Sequence, residues 1–173
     1  QMCIRDSIDD GSSDSSARIA EACGATVIRH RGNQGYGAAL KTLFKTMRSK
    51  DADLLVVLDS DGQHDTSDIP KLIQPILDEE ADFTIGSRFI EGGEGNDMPA
   101  YRRLGIKVIT AASNLTSDLG IKDTQSGFRA FSRKAIDRLR FDADGMELSL
   151  EMLEDAKETV SYTHLTLPTI VGV

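Results

Sequence analysis

Two aspartates directly after an apolar run form the arrangement in this sequence with the clearest chemical potential. The run spans residues 54–58 and leads into Asp59, Ser60, Asp61, Gly62 and Gln63. Two carboxylates this close in sequence can bring oxygens to one point. A hard divalent cation such as Mg²⁺ or Mn²⁺ prefers oxygen ligands and leaves coordination sites for phosphates. Because Gly62 permits a tight turn and Gln63 adds a carbonyl oxygen, the pattern predicts a cation site at Asp59, Asp61 and Gln63.

The same acidic cluster has a plainer interpretation. Acidic residues after a strand often form only a solvated turn or a helix cap, and for two aspartates alone that alternative stays open. An EF-hand calcium loop is excluded, because Gly62 lies two positions too early and Pro70 stands where a bidentate glutamate is required.

The elements around the cluster predict an α/β fold. The apolar run reads as a strand buried on both faces, as in a parallel sheet, and ligand sites of such sheets lie beyond the carboxyl ends of the strands. Two further strands are predicted at 26–29 and 82–88. Helices are predicted at 17–23 (ending at Gly24), 38–48, 99–119, 135–139 and 146–157, and from Ser67 or Asp68 with Pro70 in the first turn.

Three other places carry residues that could bind a ligand. Asp9 and Asp10 end a predicted strand, but they could equally be turn and cap residues. The glycine-rich loop from His30 to Gly37 precedes a helix and could present N–H groups to an anion, although a plain loop explains it as well. Arg88 could bind a phosphate or form a surface ion pair. His30 is interpreted as an ordinary loop residue.

Composition restricts the partners. The 173 residues carry a net charge of -8 with a pI near 4.9, which argues against nucleic acid and against a broad basic face on a membrane. Cys3 and Cys23 give no disulfide framework and suit a reducing compartment. No apolar run reaches about 18 residues and no signal peptide is visible. The sequence leaves open whether a membrane anchor lies outside it.

The segment from Leu58 to His64 resembles the metal and nucleotide-sugar motif of family 2 glycosyltransferases. Its likeness is greatest to the branch of dolichyl- and polyprenyl-phosphate hexose (mannose or glucose) synthases. Four more segments resemble motifs of this family: the Asp-Asp-Gly-Ser run at 9–12, Asn33 to Leu40, Gly86 to Arg88, and Asp123 to Arg129.

The resemblance implies a GT-A-like fold, with a Rossmann-type, mostly parallel sheet flanked by helices, and inverting transfer of a hexose from a nucleotide sugar to a polyprenyl phosphate. Asp61, with the cation, and Arg88 would serve catalysis. Asp10, or else Asp9, would contact the nucleoside. The other implied contacts are Asn33, Gly35, Gly37, Asp59 and Ser60 towards the donor, and Arg102, Arg103, Gln125 and Ser126 towards the acceptor. Separately from the resemblance, the glycine-rich composition of residues 91–96 predicts a flexible loop that forms a lid over the site.

Two alternatives remain for function. One is a transferase with a sugar or protein hydroxyl acceptor, for which Asp123 is the candidate base. The other is a non-catalytic nucleotide-binding fragment. The expected location is cytoplasmic and peripheral, at the membrane face that carries the lipid acceptor, and the oligomeric state is not predicted.

Both ends of the chain look foreign to the family pattern. Residues 1–7 and 161–173 differ in character from the native-looking part, 8–159, so we expect a single partial domain that lacks its first strand and is unstable and inactive by itself. The alternative for the second segment is a native strand, because Leu165 and Leu167 alternate with polar residues.

Overall fold

The computed structural model describes residues 5–87, 126–143, 145 and 147–166. The chain divides into two compact units, one comprising Gln1–Ala52 and Leu139–Asp155 and the other Asp53–Arg138 and Ala156–Val173. We call them unit 1 and unit 2. The lid predicted at 91–96 and the helix predicted at 99–119 lie outside the described residues.

Unit 1 is built on two parallel strands, β1 (Asp6–Asp9) and β2 (Thr26–Arg29), in which Asp9 lies opposite Arg29. Helix α1 (Ser16–Ala22) connects them, as parallel pairing requires a crossover. The C-cap of α1 is Cys23, and Gly24 follows with φ 85°. The predicted strand at 26–29 is confirmed. The helix predicted at 17–23 ends one residue earlier than expected, at Ala22.

Helix α2 (Tyr36–Ser49) completes the first part of unit 1 and begins two residues before its predicted start. Leu40, Phe44 and Met47 lie buried on one face at helical spacing. Phe44 meets the ring of Phe141 edge to face, with centroids 5.0 Å apart. This packing fixes α2, and with it the loop that leads into its first turn.

Unit 2 contains a four-stranded sheet in the order β3, β5, β4, β6. Its strands are β3 (Leu54–Val57), β4 (Phe83–Ser87), β5 (Arg129–Ser132) and β6 (Tyr162–Thr166). Strand β5 is antiparallel to both β3 and β4, whereas β4 and β6 are parallel. Three of the four strands therefore run in one direction, and β5, which the sequence did not predict, runs against them.

Three helices precede or follow strands of this sheet along the chain. A 3₁₀ turn (Thr66–Asp68) leads into α3 (Ile69–Leu77), which has Pro70 in its first turn as predicted. Helix α4 (Arg133–Arg138) follows β5, and α5 (Leu148–Thr159) precedes β6. Leu72 of α3 packs into a buried cluster with Phe128 and Ala130, so α3 covers the sheet.

Strand β3 is less buried than its sequence predicted. Leu55 and Val57 are buried, whereas Leu54 and Val56 are half-buried and Leu58 is 39% exposed. This alternation is typical of a strand that has one face on the core and one face partly covered. The expectation of full burial on both faces was wrong, but the position of the strand before the acidic cluster was right.

The segment at 162–166 forms strand β6, as the alternative interpretation expected. Ser161 is the residue just before this strand. Its backbone N–H and its hydroxyl donate hydrogen bonds to the Asp82 carboxylate at 3.1 and 3.0 Å. Strand β1 likewise includes Asp6 and Ser7. Whether the two ends are foreign to the native protein stays a prediction. In the described parts of the chain, no helix has the length and apolar character needed to cross a membrane.

Candidate functional site

The acidic turn of unit 2 begins at the carboxyl end of β3. Asp59 is half-buried, and the four residues after it are exposed: Ser60, Asp61, Gly62 and Gln63. Gly62 has φ 76°, a conformation that glycine adopts without steric cost. The Asp61 carboxylate accepts a hydrogen bond from the backbone N–H of Gln63 at 3.0 Å. The turn is closed by this local bond, and its carboxylate stays at the surface.

A second predicted motif lies against this turn. The Asp59 carboxylate lies so close to Gly127 that a Cβ atom there would overlap it. The ring of His64 lies on Phe128, with centroids 5.1 Å apart. Segments 58–64 and 126–128 are therefore neighbours in unit 2, although more than sixty residues separate them in the sequence.

Ser126 and Arg129 connect the strands beside this turn. Ser126 is fully buried, and its hydroxyl donates a hydrogen bond to the carbonyl of Gly86. Arg129 is 1% exposed, and its Nε donates to the carbonyl of Ser126 at 2.8 Å. The acceptor role expected for Ser126 stays a prediction, since its hydroxyl is bonded to the backbone here.

The donor set of the turn fits a divalent cation that substrate oxygens complete. No group of three or more His, Cys, Asp or Glu side chains suited to a metal occurs among the described residues. The predicted set is smaller, with two carboxylates and the amide of Gln63. Mg²⁺ in particular keeps several waters and is commonly bound through one or two carboxylates plus substrate phosphates. The chemistry of Asp59 and Asp61 matches that description.

The acidic turn of unit 1 is held by its own side chains. Asp9 is buried; its Oδ1 accepts a hydrogen bond from Ser12 N–H at 3.1 Å, and its Oδ2 lies 2.9 Å from Nε of Arg29. Arg29 also donates to the carbonyl of Ser12. The Ser12 hydrogen bond and the Arg29 charge outweigh burial and hold the pKa of Asp9 below its usual value.

Asp10 has still more partners. Its Oδ1 lies 2.6 Å from Nδ1 of His30 and accepts the N–H of Gln34 at 3.0 Å. Its Oδ2 lies 3.1 Å from the same N–H and accepts that of Gly35 at 2.8 Å. Burial by itself raises the pKa of Asp10, but these hydrogen bonds outweigh it and leave the pKa below its usual value.

The glycine-rich loop therefore lies directly on the first acidic turn. Gly11 has φ 79°, and a Cβ there would come within 2.6 Å of the Gly32 Cα. Gly35 is the N-cap of α2 with φ 97°, Gly37 is buried, and Asn33 is exposed. The N–H groups of Gln34 and Gly35, which the sequence offered to an anionic ligand, donate to Asp10 instead.

Sequence reasoning missed His30 and Arg29. His30 was interpreted as an ordinary loop residue, yet it contacts Asp10 and, through Nε2, Thr42 Oγ1 at 2.8 Å. One signal could have found both. Arg29 ends β2 and His30 follows it, and because adjacent parallel strands end at the same sheet edge, residues at that point lie near Asp9 and Asp10.

Four predicted site residues lie outside the described part of the chain: Arg88, Arg102, Arg103 and Gln125. The candidate base Asp123 lies there as well. Their proposed roles in binding phosphate, acceptor or sugar stay predictions.

Comparison with known proteins identifies relatives over most of the chain. Residues 7–140 match the family model described as glycosyl transferase family 2. A UDP-N-acetylglucosamine–dolichyl-phosphate N-acetylglucosaminyltransferase of Methanococcus voltae is 37% identical over 63% of this chain and 43% of its own length. A dolichol-phosphate mannosyltransferase of Pyrococcus furiosus is 33% identical, over 76% of this chain and 37% of its own.

Among solved structures, glucosyl-3-phosphoglycerate synthase of Mycobacterium tuberculosis superposes with a TM-score of 0.69 at 25% identity. The match covers 94% of this chain and 58% of that one, whose structure contains Mn²⁺, UDP-glucose and phosphoglyceric acid. The fold is accordingly of the GT-A type. The chain spans 63%, 43% and 35% of the length of three curated relatives.

Proposed function

The chain belongs to glycosyltransferase family 2, and from that premise we propose that it transfers a hexose from a nucleotide sugar to a polyprenyl or dolichyl phosphate with inversion at the sugar carbon. The curated relatives support the acceptor, because two of them are named for dolichyl phosphate. A UDP- or GDP-sugar is the proposed donor.

The acidic turn after β3 carries this proposal. Asp61 is exposed beyond the carboxyl end of the strand, and Asp59, two residues earlier, lies against Gly127. A bound Mg²⁺ or Mn²⁺ would supply positive charge to the leaving diphosphate. Asp59, Asp61 and Gln63 would hold that cation, and Ser60 would contact the donor. The Mn²⁺ in the related synthase supports a divalent cation at this turn.

The nucleoside of the donor is proposed to bind at the β1 turn of unit 1. Asp9, Asp10, Asn33, Gly35 and Gly37 are the residues concerned. Because the Asp10 carboxylate already bonds the loop backbone, its contribution is to hold the loop that the nucleoside meets. Exposed Asn33 is the side chain best available for direct contact.

The acceptor explains why no catalytic base is required. A phosphate monoester has its second pKa near 6, so it is largely a dianion at neutral pH and can attack the sugar carbon directly. Arg102 and Arg103 would hold this phosphate, Gln125 and Ser126 would line its side of the site, and Arg88 would bind the donor phosphates. The lipid acceptor would place the protein at the cytoplasmic face of a membrane.

A hydroxyl acceptor is the second candidate. It is favoured by the related synthase, whose structure contains phosphoglyceric acid rather than a lipid. Such an acceptor must lose a proton as it attacks, so a carboxylate base is required, and Asp123 is the candidate.

Transfer assays separate these possibilities. The purified protein, expressed from its complete reading frame, is incubated with radiolabelled UDP-glucose or GDP-mannose and with one of three acceptors: dolichyl phosphate, dolichol, or phosphoglyceric acid. Label in the lipid fraction with dolichyl phosphate, abolished by chelator, supports the proposal. Label only on phosphoglyceric acid or on dolichol supports the hydroxyl-acceptor candidate. Nucleotide binding without transfer to any of them supports a non-catalytic role.

A further inference from the structure

We propose that His30, held in place by Thr42, is a positioning residue for the donor nucleotide, because it fixes the Asp10 carboxylate that holds the glycine-rich loop. This inference rests on the proposed function, since it concerns the nucleoside side of the same reaction. It assigns a task to a histidine that the sequence analysis had interpreted as an ordinary loop residue.

The geometry forms a continuous connection from β1 to α2. Asp10 follows the last residue of β1, and His30 follows the last residue of β2. Nδ1 of His30 lies 2.6 Å from Asp10 Oδ1, and its Nε2 lies 2.8 Å from Thr42 Oγ1. The imidazole side chain is only 11% exposed. Each end of the ring therefore has a partner, and the ring has little room to turn.

The chemistry of one partner assigns one proton. An ionised carboxylate only accepts hydrogen bonds, so Nδ1 of His30 must donate to Asp10. The Thr42 hydroxyl can donate or accept, so it pairs with Nε2 whichever of the two carries the proton, and it stands on a helix already fixed by its buried face. Thr42 therefore sets the ring orientation, and the ring sets the carboxylate.

The fixed carboxylate in turn sets the loop. Its two oxygens make four contacts, one to His30 and three to the N–H groups of Gln34 and Gly35. These contacts come from three donors, because the N–H of Gln34 is shared between both oxygens, and they occupy most of the roughly four lone-pair positions of a carboxylate. We therefore place the effect of Asp10 on a nucleotide in the backbone at 33–35, which it holds.

The chain offers a closely matched control. Thr46 lies one turn after Thr42 on α2, and its hydroxyl donates to the Thr42 carbonyl at 2.8 Å without contacting His30. Thr42→Val and Thr46→Val each remove one hydroxyl from the same helix and keep the side-chain shape. A structural cost to α2 alone would appear in both variants, whereas loss of positioning would appear only in Thr42→Val.

The experiment measures binding of UDP and GDP to the protein by titration calorimetry, together with the melting temperature of each variant. Thr42→Val is expected to weaken nucleotide binding about 3- to 10-fold, the effect of one lost hydrogen bond. Thr42→Ser and Thr46→Val should bind like the wild type. His30→Asn keeps a donor near Asp10 but does not reach Thr42, so it should match Thr42→Val. The double variant Thr42→Val/His30→Asn should bind nucleotide no more weakly than either single variant.

Each outcome decides the matter. Wild-type affinity in Thr42→Val and His30→Asn, with the wild type binding nucleotide, overturns the positioning role while leaving the proposed function intact. Equal losses in Thr42→Val and Thr46→Val also overturn it, in favour of a helix-stability effect. A wild-type protein that binds neither UDP nor GDP overturns the proposed function and this inference with it.

Discussion

The two acidic turns of this protein have similar sequences and opposite surroundings. In unit 1, Asp10 is hydrogen-bonded to His30 and the loop backbone, and Asp9 to the backbone of Ser12. The other Asp9 oxygen pairs with the charge of Arg29 but has no hydrogen-bond partner among the described residues. In unit 2, Asp61 is exposed, and its carboxylate accepts a hydrogen bond from the backbone two residues away. A carboxylate that the protein already satisfies contributes to structure, whereas an exposed one is available to a ligand. The first turn therefore organises a loop, and the second presents charge.

The largest expected effect comes from the second turn. Asp61→Asn should lower transferase activity by about 100-fold or more, because it removes charge at the point where the leaving diphosphate must be stabilised. Its free energy of unfolding should change by less than about 0.5 kcal/mol, as for most exposed positions. Transfer to dolichyl phosphate and thermal unfolding measure the two effects.

The control for Asp61→Asn is Asp53→Asn. Asp53 is an exposed aspartate just before the other end of β3, so it removes equal charge away from the turn and should leave activity unchanged. Full activity of Asp61→Asn in the presence of chelator would contradict a ligand-directed role for the second turn.

Gly127→Ala is expected to have the next largest effect. The new Cβ would occupy the position of the Asp59 carboxylate, which must move, and binding of Mn²⁺ and donor should weaken about 10-fold for the equivalent of one lost charge-assisted contact. The measurement is Mn²⁺-dependent nucleotide binding.

Gly32→Ala serves as the matched glycine control, because a Cβ there meets no atom of the described residues within 4 Å. Equal effects of the two glycine variants on Mn²⁺ dependence would show that the placement of Asp59 against Gly127 has no bearing on the cation.

In the first turn, Asp10→Asn should act on stability. The charge-assisted bonds from His30, Gln34 and Gly35 would be weakened or lost, at a cost of about 1–3 kcal/mol. The contrast with Asp61→Asn is the measure, since only the Asp10 variant should lower the midpoint of urea unfolding. If both variants unfolded at the same urea concentration, Asp10 would stabilise the fold no more than Asp61 does, which contradicts the contrast between the two turns.

The smallest effect is a dependence of stability on pH. The folded pKa of Asp10 lies below its ordinary value of 3.8. Its stabilising contribution is therefore fully present above about pH 5 and is lost as the pH falls through the lowered pKa. Unfolding of the wild type and of Asp10→Asn should differ least at about pH 2 and most near neutral pH. Parallel curves between pH 6 and pH 2 would contradict the lowered pKa.

Local sequence patterns were sufficient for a large part of the fold. The sequence predicted four elements to within a few residues: the strand before Asp59, the strand at 26–29, the helix beginning near Pro70 and the helix from Tyr36. Each depends on hydrophobic period, glycine or proline within a few positions, and such signals are local. Family motifs gave the GT-A fold for the same reason, since they are short and contiguous.

Long-range pairing decided what these patterns left open. Strand β5 is antiparallel inside an otherwise unidirectional sheet, and it brings Gly127 against Asp59 and Phe128 against His64. Residues 162–166 form a strand because they pair with β4, a pairing that the local pattern did not fix, and whether this segment is native stays a prediction.

The sequence by itself determined which residue types stand at the ends of β1 and β3, and therefore that carboxylates gather there. It could not determine which of them the protein would use for itself. Asp10 meets His30, Gln34 and Gly35 across some twenty-five residues, because the parallel pairing of β1 with β2 brings these positions to one edge. Among the described residues, the hydrogen bond of the Asp61 carboxylate lies within its own turn. Whether a carboxylate hydrogen-bonds to the protein or stays available to a bound cation depends on its neighbours in space, and only the tertiary structure supplies those.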